Sequence, residues 1–171
     1  MLTSMRPQPT EPDESVTTVE HSTGANDPFR PLLLPRGLRL QVVRHLERWL
    51  PYEGCGLLAT VGGPEHDRAV HFFPGTNIDR SPTRYTMDPR EVLDAMKRMR
   101  ARGWSLGAIV HSHPSSRPSV SRTDAREAYY PDSRLLIVSF LGGDPDFGCW
   151  ARSRDPETPG FFPSPLIFWR R

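Results

Sequence analysis

The sequence predicts an α/β or α+β layer fold, in which helices cover a β-sheet. Apolar runs of strand length alternate along the chain with segments of helical periodicity, and turn residues separate them. The 171 residues are enough for one domain with an appended tail and too few for two full domains. We therefore expect one layered domain.

The first half of the predicted domain contains a helix and two strands. Apolar residues at helical spacing predict a helix over Leu38–Leu50, which Pro51 ends. The apolar run Cys55–Val61 predicts a buried strand, and Gly62-Gly63-Pro64 predicts the turn into a second strand over Arg68–Phe73. The helical spacing is carried by Leu38, Val42, Leu46 and Trp49.

A second helix follows a loop and a short extended piece. The loop spans Asn77–Thr83, and the extended piece spans Tyr85–Met87. Asp88 followed by Pro89 is typical of a helix start, because aspartate caps the free amide groups and proline suits the first helical position. We expect this helix to end at Gly103 and to pack through Val92, Met96 and Met99.

The second half of the domain is richer in strands. Leu106–His113 has the apolar density of a central strand, and a short helix is predicted over Ser121–Tyr130. Further strands are predicted over Leu135–Phe140 and Phe147–Arg152. The apolar segment Leu166–Trp169 predicts an edge strand.

The first residues differ in composition from the rest of the chain. Residues 1–28 are rich in proline, threonine, serine and glutamate, with only scattered apolar side chains. Such a segment buries too little surface to offset the entropy lost on ordering. We therefore predict a disordered tail over 1–28 and a folded domain over 29–171.

Charge and hydropathy exclude several classes of function. The net charge of +2 gives no electrostatic reason to expect nucleic acid or an anionic membrane as a partner. No apolar run approaches the roughly 20 residues of a membrane span, and the polar first segment lacks the features of a signal peptide. We expect a cytoplasmic protein in which Cys55 and Cys149 are small buried apolar residues.

Two histidines at the end of a predicted strand are the first candidates for chemistry. Alternate residues of a strand share one face, with Cα atoms roughly 6.5–7 Å apart. The imidazoles of His111 and His113 are therefore close enough to bind one metal ion. Taken alone, such a pair is more often a polar rim than a metal site.

A carboxylate follows at the start of the next predicted helix. Ser121 is placed to cap that helix, with Asp124 in its first turn. These residues are either cap residues only, or the same turn also directs Asp124 towards the imidazoles; the two interpretations are compatible. Two nitrogen ligands and one oxygen ligand leave a fourth position of Zn²⁺ open for water, as in catalytic sites. Glu53, just before a buried strand, is our candidate for the general base.

These residues resemble the signature of the JAMM (MPN+) zinc metalloproteases. The signature consists of Glu53 with Cys55-Gly56-Leu57-Leu58, then His111-Ser112-His113-Pro114, and after six residues Ser121 and Asp124. The resemblance covers roughly Leu34 to Trp150. Two further segments resemble the bacterial branch of the family. They are Asn77–Pro82 with Tyr85, and Pro131-Asp132 leading into Leu135–Ser139.

The resemblance implies both a fold and a set of roles. The implied fold is a curved mixed β-sheet flanked by helices, similar to that of cytidine deaminases. His111, His113 and Asp124 would bind Zn²⁺, and Glu53 would act as general acid/base. Ser121 would donate a hydrogen bond to the oxyanion of the tetrahedral intermediate.

The resemblance also implies a class of substrate. Eukaryotic members remove ubiquitin and related modifiers, whereas prokaryotic members process small ubiquitin-like or sulphur-carrier proteins, typically after a C-terminal Gly-Gly. Thr76–Met87 and Gly142–Phe161 are shorter than the insertions with which eukaryotic members grip ubiquitin, so ubiquitin itself is not favoured. The identity of the carrier, the type of bond cleaved and the oligomeric state stay open.

Three other functions are compatible with parts of the sequence. A non-catalytic MPN-type interaction scaffold has the same fold, but such proteins have usually lost metal ligands that this chain keeps. A zinc-dependent nucleobase deaminase requires His-x-Glu together with Pro-Cys-x-x-Cys, and the Pro-Cys-x-x-Cys motif is absent. A cysteine hydrolase would use Cys55, which lies in a predicted buried strand. Arg117 and Arg122 flank the site, as solvated loop residues or as contacts for a substrate carboxylate.

Overall fold

A computed structural model describes residues 30–169; the predicted tail over 1–28 and its boundary at residue 29 lie outside them. Eight strands and three helices occur in this described range. In chain order they are β1 (Leu32–Pro35), α1 (Arg36–Glu47), β2 (Cys55–Gly62), β3 (Asp67–Gly75), α2 (Pro89–Ala101), β4 (Ser105–His113), α3 (Arg122–Arg126), β5 (Arg134–Ser139), β6 (Asp146–Arg152), β7 (Phe161–Pro163) and β8 (Leu166–Trp169).

All eight strands belong to one mixed sheet. Their order across the sheet is β7-β6-β5-β4-β2-β3-β1-β8. The pairs β4–β5, β1–β3 and β1–β8 are parallel, and the other neighbours are antiparallel. The mixed sheet with flanking helices confirms the predicted fold class.

The connection between the last two strands requires the sheet to be strongly curved. β7 and β8 lie at opposite ends of the strand order, yet only Ser164 and Pro165 separate them in the chain. Because consecutive Cα atoms are 3.8 Å apart, Pro163 and Leu166 are at most about 11 Å apart. The two ends of the sheet therefore approach each other, and the Ser164 amide donates a hydrogen bond to the carbonyl of Cys149 in β6.

Side chains on the two faces of the sheet pack against different helices. On one face, Val42 and Leu46 of α1 belong to a buried cluster with Leu58 and Val110. On the other, Met99 of α2 packs in a second cluster with strand residues of the opposite parity, including Leu57 and Ile109. Because successive residues of a strand face opposite sides, each central strand contributes to both cores.

The predicted strands agree with the structure to within two residues at their ends. The helix predicted over Leu38–Leu50 begins two residues earlier and ends three residues earlier, as α1. The helix predicted over Ser121–Tyr130 is confined to α3. Tyr129 and Tyr130, which would extend α3, are exposed, so a longer helix would have no apolar face to bury.

Two strands were not predicted from the sequence. β1 and β7 are four and three residues long, and prolines bound or interrupt both. Their hydrogen-bond partners come from distant parts of the chain: β1 pairs with β3 and β8, and β7 pairs with β6. Local sequence therefore carries little signal for either strand.

A buried ion pair joins β5 to β3. Arg134 is fully buried, and its Nη2 lies 2.8 Å from Oδ2 of Asp67, which is 1% exposed. The same guanidinium donates to the Arg30 carbonyl at 2.7 Å and to Ser164 Oγ at 3.2 Å. One cation thus connects strands on both sides of the sheet centre.

Removing the carboxylate of this pair should destabilise the protein strongly. Asp67→Ala leaves the buried Arg134 charge uncompensated, and we expect the free energy of unfolding to fall by about 3–5 kcal/mol. The matched control is Asp132→Ala, which breaks the exposed pair between Asp132 and Arg154 and should cost about 0–1 kcal/mol. Urea denaturation measures both, and equal losses would contradict the assigned role of the buried pair.

Candidate metal centre

The two histidines lie on the same face at the end of β4. His111 is fully buried and His113 is 4% exposed. Their Nε2 atoms are 3.2 Å apart. Like Ile109, both side chains point to the α2 side of the sheet, because they are separated from it by even numbers of residues.

The first turn of α3 brings the carboxylate of Asp124 to the histidines. Ser121 is the N-cap residue: its Oγ accepts a hydrogen bond from the Asp124 amide at 3.1 Å. In return the Ser121 amide donates to Asp124 Oδ2 at 2.7 Å, which completes a capping box. Asp124 Oδ1 lies 3.2 Å from His111 Nε2, and Oδ2 lies 3.5 Å from His113 Nε2. The carboxylate therefore caps the helix and faces both imidazoles.

The spacing of these atoms fits a metal ion. A tetrahedral ion with ligands at 2.0–2.1 Å requires neighbouring ligand atoms to be about 3.3–3.4 Å apart. The two Nε2 atoms are 3.2 Å apart; His111 Nε2 lies 3.2 Å from Asp124 Oδ1, and His113 Nε2 lies 3.5 Å from Asp124 Oδ2. This triplet is the one group of potential ligands found among residues 30–169, and all its ligand atoms lie within 4.8 Å of one another.

Charge and hydrogen bonding keep the carboxylate ionised. Burial by itself would raise the pKa of Asp124, but hydrogen bonds from the two imidazoles outweigh it and hold that pKa well below its usual range. Burial lowers the pKa of His111, which favours the neutral ring. For His113, burial is outweighed by hydrogen bonds to Asp124 and to the Arg117 carbonyl, and the pKa is raised.

The Nδ1 atoms of the two imidazoles differ in their hydrogen bonding. His113 Nδ1 donates to the carbonyl of Arg117 at 2.8 Å, so in the neutral ring Nε2 carries the lone pair and faces the cluster, whereas the protonated ring donates from both nitrogens. His111 Nδ1 is buried and has no hydrogen-bond partner within the described range. Instead, the ring of Tyr85 stacks on His111 with centroids 4.6 Å apart. Because Nδ1 makes no hydrogen bond, stacking on Tyr85 helps to restrain the orientation of the His111 ring.

Glu53 is buried next to the cluster. It lies two residues before Cys55, the first residue of β2, which is paired with His111 across the sheet, and it is only 5% exposed. Burial raises the pKa of the Glu53 carboxyl to about 7; the charge of Asp124 adds to this rise and that of His113 opposes it. A carboxyl with a pKa near neutrality is suited to both accepting and donating a proton.

The remaining polar residues of the site are exposed. Ser121 is accessible to solvent, and its hydroxyl hydrogen is available because the oxygen is the acceptor in the cap. The side chains of Arg117 and Arg122 are exposed, and neither has an ion-pair partner in the part of the chain that the structure describes. The two open interpretations of these arginines therefore both stand.

An apolar cavity adjoins the cluster. Its volume is about 310 Å³, and Asp124 and the stacked Tyr85 form part of its wall. Most of the remaining wall is apolar and includes Met87, Ile109 and Leu135. A substrate bound at the cluster would therefore meet apolar surface beside the polar centre.

A family model supports the resemblance seen in the sequence. The model described as prokaryotic homologs of the JAB domain matches residues 35–152. The chain belongs to this family. The JAB match includes Glu53, His111, His113, Ser121 and Asp124, and it confirms the resemblance to the bacterial branch of the JAMM proteases.

Several curated proteins resemble this JAB domain. The CysO-cysteine peptidase of Mycobacterium tuberculosis is 39% identical over 99 residues, which are 57% of this chain and 66% of that protein. The probable TtuB-protein conjugate cleaving protease of Thermus thermophilus is 42% identical over 98 residues, 57% of this chain and 63% of the relative. The desampylase of Haloferax volcanii is 33% identical over 90 residues, 52% and 63% of the two chains. The matched region spans just under two thirds of each relative.

Solved structures are also similar. A solution structure of a protein from Desulfitobacterium hafniense superposes with a TM-score of 0.69 at 30% identity, covering 82% of this chain and 94% of that one. A solution structure from Salinibacter ruber gives a TM-score of 0.58 at 27% identity, covering 80% and 90%. Both solved structures share the fold of this chain.

Three residues near the cluster received no role from the sequence. Asn77 and Tyr85 were assigned only to a loop, to an extended piece and to the resemblance to bacterial members, and Ser112 only to the position between the histidines. The alternation of side chains along β4 is a signal for Ser112, because it places this residue on the face opposite the imidazoles. The stacking of Tyr85 on His111 depends on tertiary contacts, and no local pattern indicates it.

The thiol of Cys55 should be unreactive in the folded protein. Burial raises its pKa to about 12, with smaller contributions from the charges of Glu91, Glu53 and Asp79, so the thiol stays protonated until the pH approaches that value. We expect iodoacetamide near neutral pH to leave native Cys55 unmodified and to label it fully in denaturant, as read by mass spectrometry. Rapid labelling of the native protein would revive the cysteine hydrolase interpretation.

Proposed function

We propose that this protein is a zinc-dependent peptidase or isopeptidase that acts at the C-terminal Gly-Gly of a small ubiquitin-like or sulphur-carrier protein. The observation that carries the proposal is the cluster of His111, His113 and Asp124, with ligand-like spacing, beside the buried Glu53. The names of the relatives support the reaction class and the type of substrate.

Zinc is the metal that best suits the donor set. Two imidazole nitrogens and one carboxylate oxygen are typical of catalytic zinc sites, which keep a fourth position open. When bound, Zn²⁺ supplies a Lewis acid that lowers the pKa of a coordinated water to roughly 7. The ionised state of Asp124 favours such a cation, and so does the lone pair that Nε2 of the neutral His113 ring directs at the cluster.

Glu53 and Ser121 are assigned proton transfer and stabilisation of the oxyanion. Hydrolysis adds water to the carbonyl carbon and breaks the C–N bond, so one proton must move from the water to the leaving nitrogen. Glu53 is assigned this transfer, because its pKa near 7 lets it accept a proton and release it again. Ser121 is assigned the donation of a hydrogen bond to the oxyanion. Its exposed hydroxyl supports this role.

The carrier is the partner that the relatives suggest. The names of these relatives describe proteins that act on CysO-cysteine or on TtuB-protein conjugates. A Gly-Gly terminus would let an unbranched backbone approach a centre that is largely buried. Neither a nucleic acid nor a membrane is proposed as a partner: the net charge is only +2, and no helix among residues 30–169 is long and apolar enough to cross a membrane.

We place the reaction in the cytoplasm. Cys55 and Cys149 are both free and buried, as expected in a reducing compartment. The folded domain is proposed to extend over 29–171, with residues 1–28 as its tail.

The proposed function is tested with a small carrier protein that ends in Gly-Gly and is extended by a few residues or joined to a lysine. Mass spectrometry should detect the carrier released after Gly-Gly. Glu53→Gln should keep one zinc per chain and lose turnover by about 10²–10⁴-fold, because the proton acceptor is gone. His113→Ala should lose both zinc and turnover, and Glu65→Gln, an exposed change in the turn between β2 and β3, should lose neither.

Two results would contradict the proposal. Zinc binding without cleavage of any such carrier by the unaltered protein would favour the interaction scaffold. Full turnover by Glu53→Gln would mean that another residue transfers the proton.

Ser121 has two roles that a single substitution separates. Ser121→Gly removes the hydroxyl, yet glycine at an N-cap costs only a few tenths of a kcal/mol of stability. We therefore expect an almost unchanged melting temperature and a kcat about 10²–10³-fold lower. An unchanged kcat would leave Ser121 as a helix cap only.

A further inference from the structure

All four backbone polar groups of Glu53 and Gly54 are hydrogen-bonded. The Glu53 amide donates to the carbonyl of Ser81 at 2.8 Å, and the Glu53 carbonyl accepts from Asn77 Nδ2 at 2.9 Å. The Gly54 amide donates to Ser112 Oγ at 2.8 Å, and the Gly54 carbonyl accepts from the Ser112 amide at 2.9 Å. Two of these four partners are side chains, those of Asn77 and Ser112. The segment that carries Glu53 is therefore held on both sides.

Asn77 holds the segment from the side of the 76–87 loop. Its side chain is fully buried, and both amide atoms make two hydrogen bonds each. Nδ2 donates to the carbonyls of Glu53 and Arg84, at 2.9 and 3.1 Å. Oδ1 accepts from the amides of Asp79 and Thr86, both at 3.0 Å. One side chain thus fixes the fold of the loop and ties it to Glu53.

Ser112 holds the segment from the side of β4. It is fully buried between the two candidate ligand histidines in sequence, and its side chain points to the opposite face of the strand. Its Oγ and its amide both bond to Gly54. The same strand therefore carries the histidines on one face and a contact for the Glu53 segment on the other.

Close packing leaves the segment little room to move. A Cβ added at Gly54 would lie 2.9 Å from Leu46 Cδ2 and 3.1 Å from the Leu46 Cα. The chain packs closely against α1 at this point, and it can do so because glycine has no Cβ. Hydrogen bonds and packing together define the position of the Glu53 backbone.

We propose that Asn77 and Ser112 are positioning residues, which set the Glu53 carboxyl relative to the candidate metal ligands without touching substrate. This inference rests on the proposed function, because it concerns the residue assigned to proton transfer. Rates of proton transfer depend steeply on geometry, and a displacement of about 1 Å in a catalytic group can cost about 10²-fold in rate. A positioning role predicts a loss in kcat, whereas a purely structural role predicts a loss in stability alone.

The first test uses variants of Ser112 with a matched control. Ser112→Ala removes the acceptor for the Gly54 amide, and Ser112→Thr keeps a hydroxyl at the same place. Ser133→Ala is the control, because Ser133 is also buried and its Oγ donates to the carbonyl of Tyr130 at 2.9 Å, away from Glu53. We expect kcat to fall about 10²-fold in Ser112→Ala, to recover towards the original value in Ser112→Thr and to stay unchanged in Ser133→Ala.

The second test addresses Asn77. Asn77→Asp keeps the oxygen that accepts from Asp79 and Thr86, and it replaces the donor to Glu53. We expect a fall in kcat of the same order, with KM and zinc content within twofold of the original protein. If this variant does not fold, as judged by its thermal melt, the Ser112 variants decide the question.

Amide hydrogen exchange provides a measurement that does not depend on activity. The Gly54 amide loses its acceptor in Ser112→Ala and should exchange at least tenfold faster. The Glu53 amide donates to Ser81, in the loop that Asn77 ties to the Glu53 carbonyl, and should exchange faster in Asn77→Asp because that tie is lost. Both amides should stay protected in Ser133→Ala. Unchanged protection would overturn the inference. So would faster exchange with an unaltered kcat, a loss that appears in KM, or an equal loss of kcat in the control. Failure of the unaltered protein to cleave any Gly-Gly carrier would count against the proposed function instead, and the exchange rates would still report whether the two side chains hold the segment.

Discussion

The carboxylate of Asp124 joins the local structure of α3 to the candidate metal ligands. It accepts the Ser121 amide in the capping box and approaches both imidazoles, one with each oxygen. The geometry of the helix start therefore fixes where a negative charge lies relative to β4. Because the hydrogen bonds from the imidazoles keep its pKa low, that charge persists over the whole physiological range of pH. A cation is the natural partner for such an arrangement.

The register of the central strands positions the rest of the site. β2 and β4 are antiparallel, with Cys55 opposite His111, so the residues just before β2 lie beside the end of β4. This places Glu53 near the histidines, although Glu53 and His111 are 58 positions apart in the chain. The two faces of β4 contribute different contacts. Odd-numbered residues on one face provide the candidate ligands, and Ser112 on the other face is hydrogen-bonded to Gly54 in the Glu53 segment. A shift of the register by one residue would exchange these faces and remove both functions.

The loop between β3 and α2 completes the environment of the cluster. Asn77 organises this loop, Ser81 binds the Glu53 amide, and Tyr85 stacks on His111. Burial, rather than any single charge, raises the pKa of Glu53 towards neutrality. The structure thus combines an ionised carboxylate, Asp124, with a second carboxyl of much higher pKa a short distance away. Paired carboxyls with such different pKa values are suited to separate roles in catalysis.

The sequence by itself determined the fold class, the central strands and the residues of the candidate site. These features have local causes: apolar periodicity marks β2, β4 and β5, and the cap residue Ser121 marks the start of α3. Tertiary structure alone decided the short strands β1 and β7, the approach of β7 to β8 at the two ends of the sheet, and the contacts of Asn77, Ser112 and Tyr85. The physical reason is that these features depend on partners distant in the chain. A hydrogen bond or a ring contact between remote residues leaves no periodic trace in the sequence around either of them.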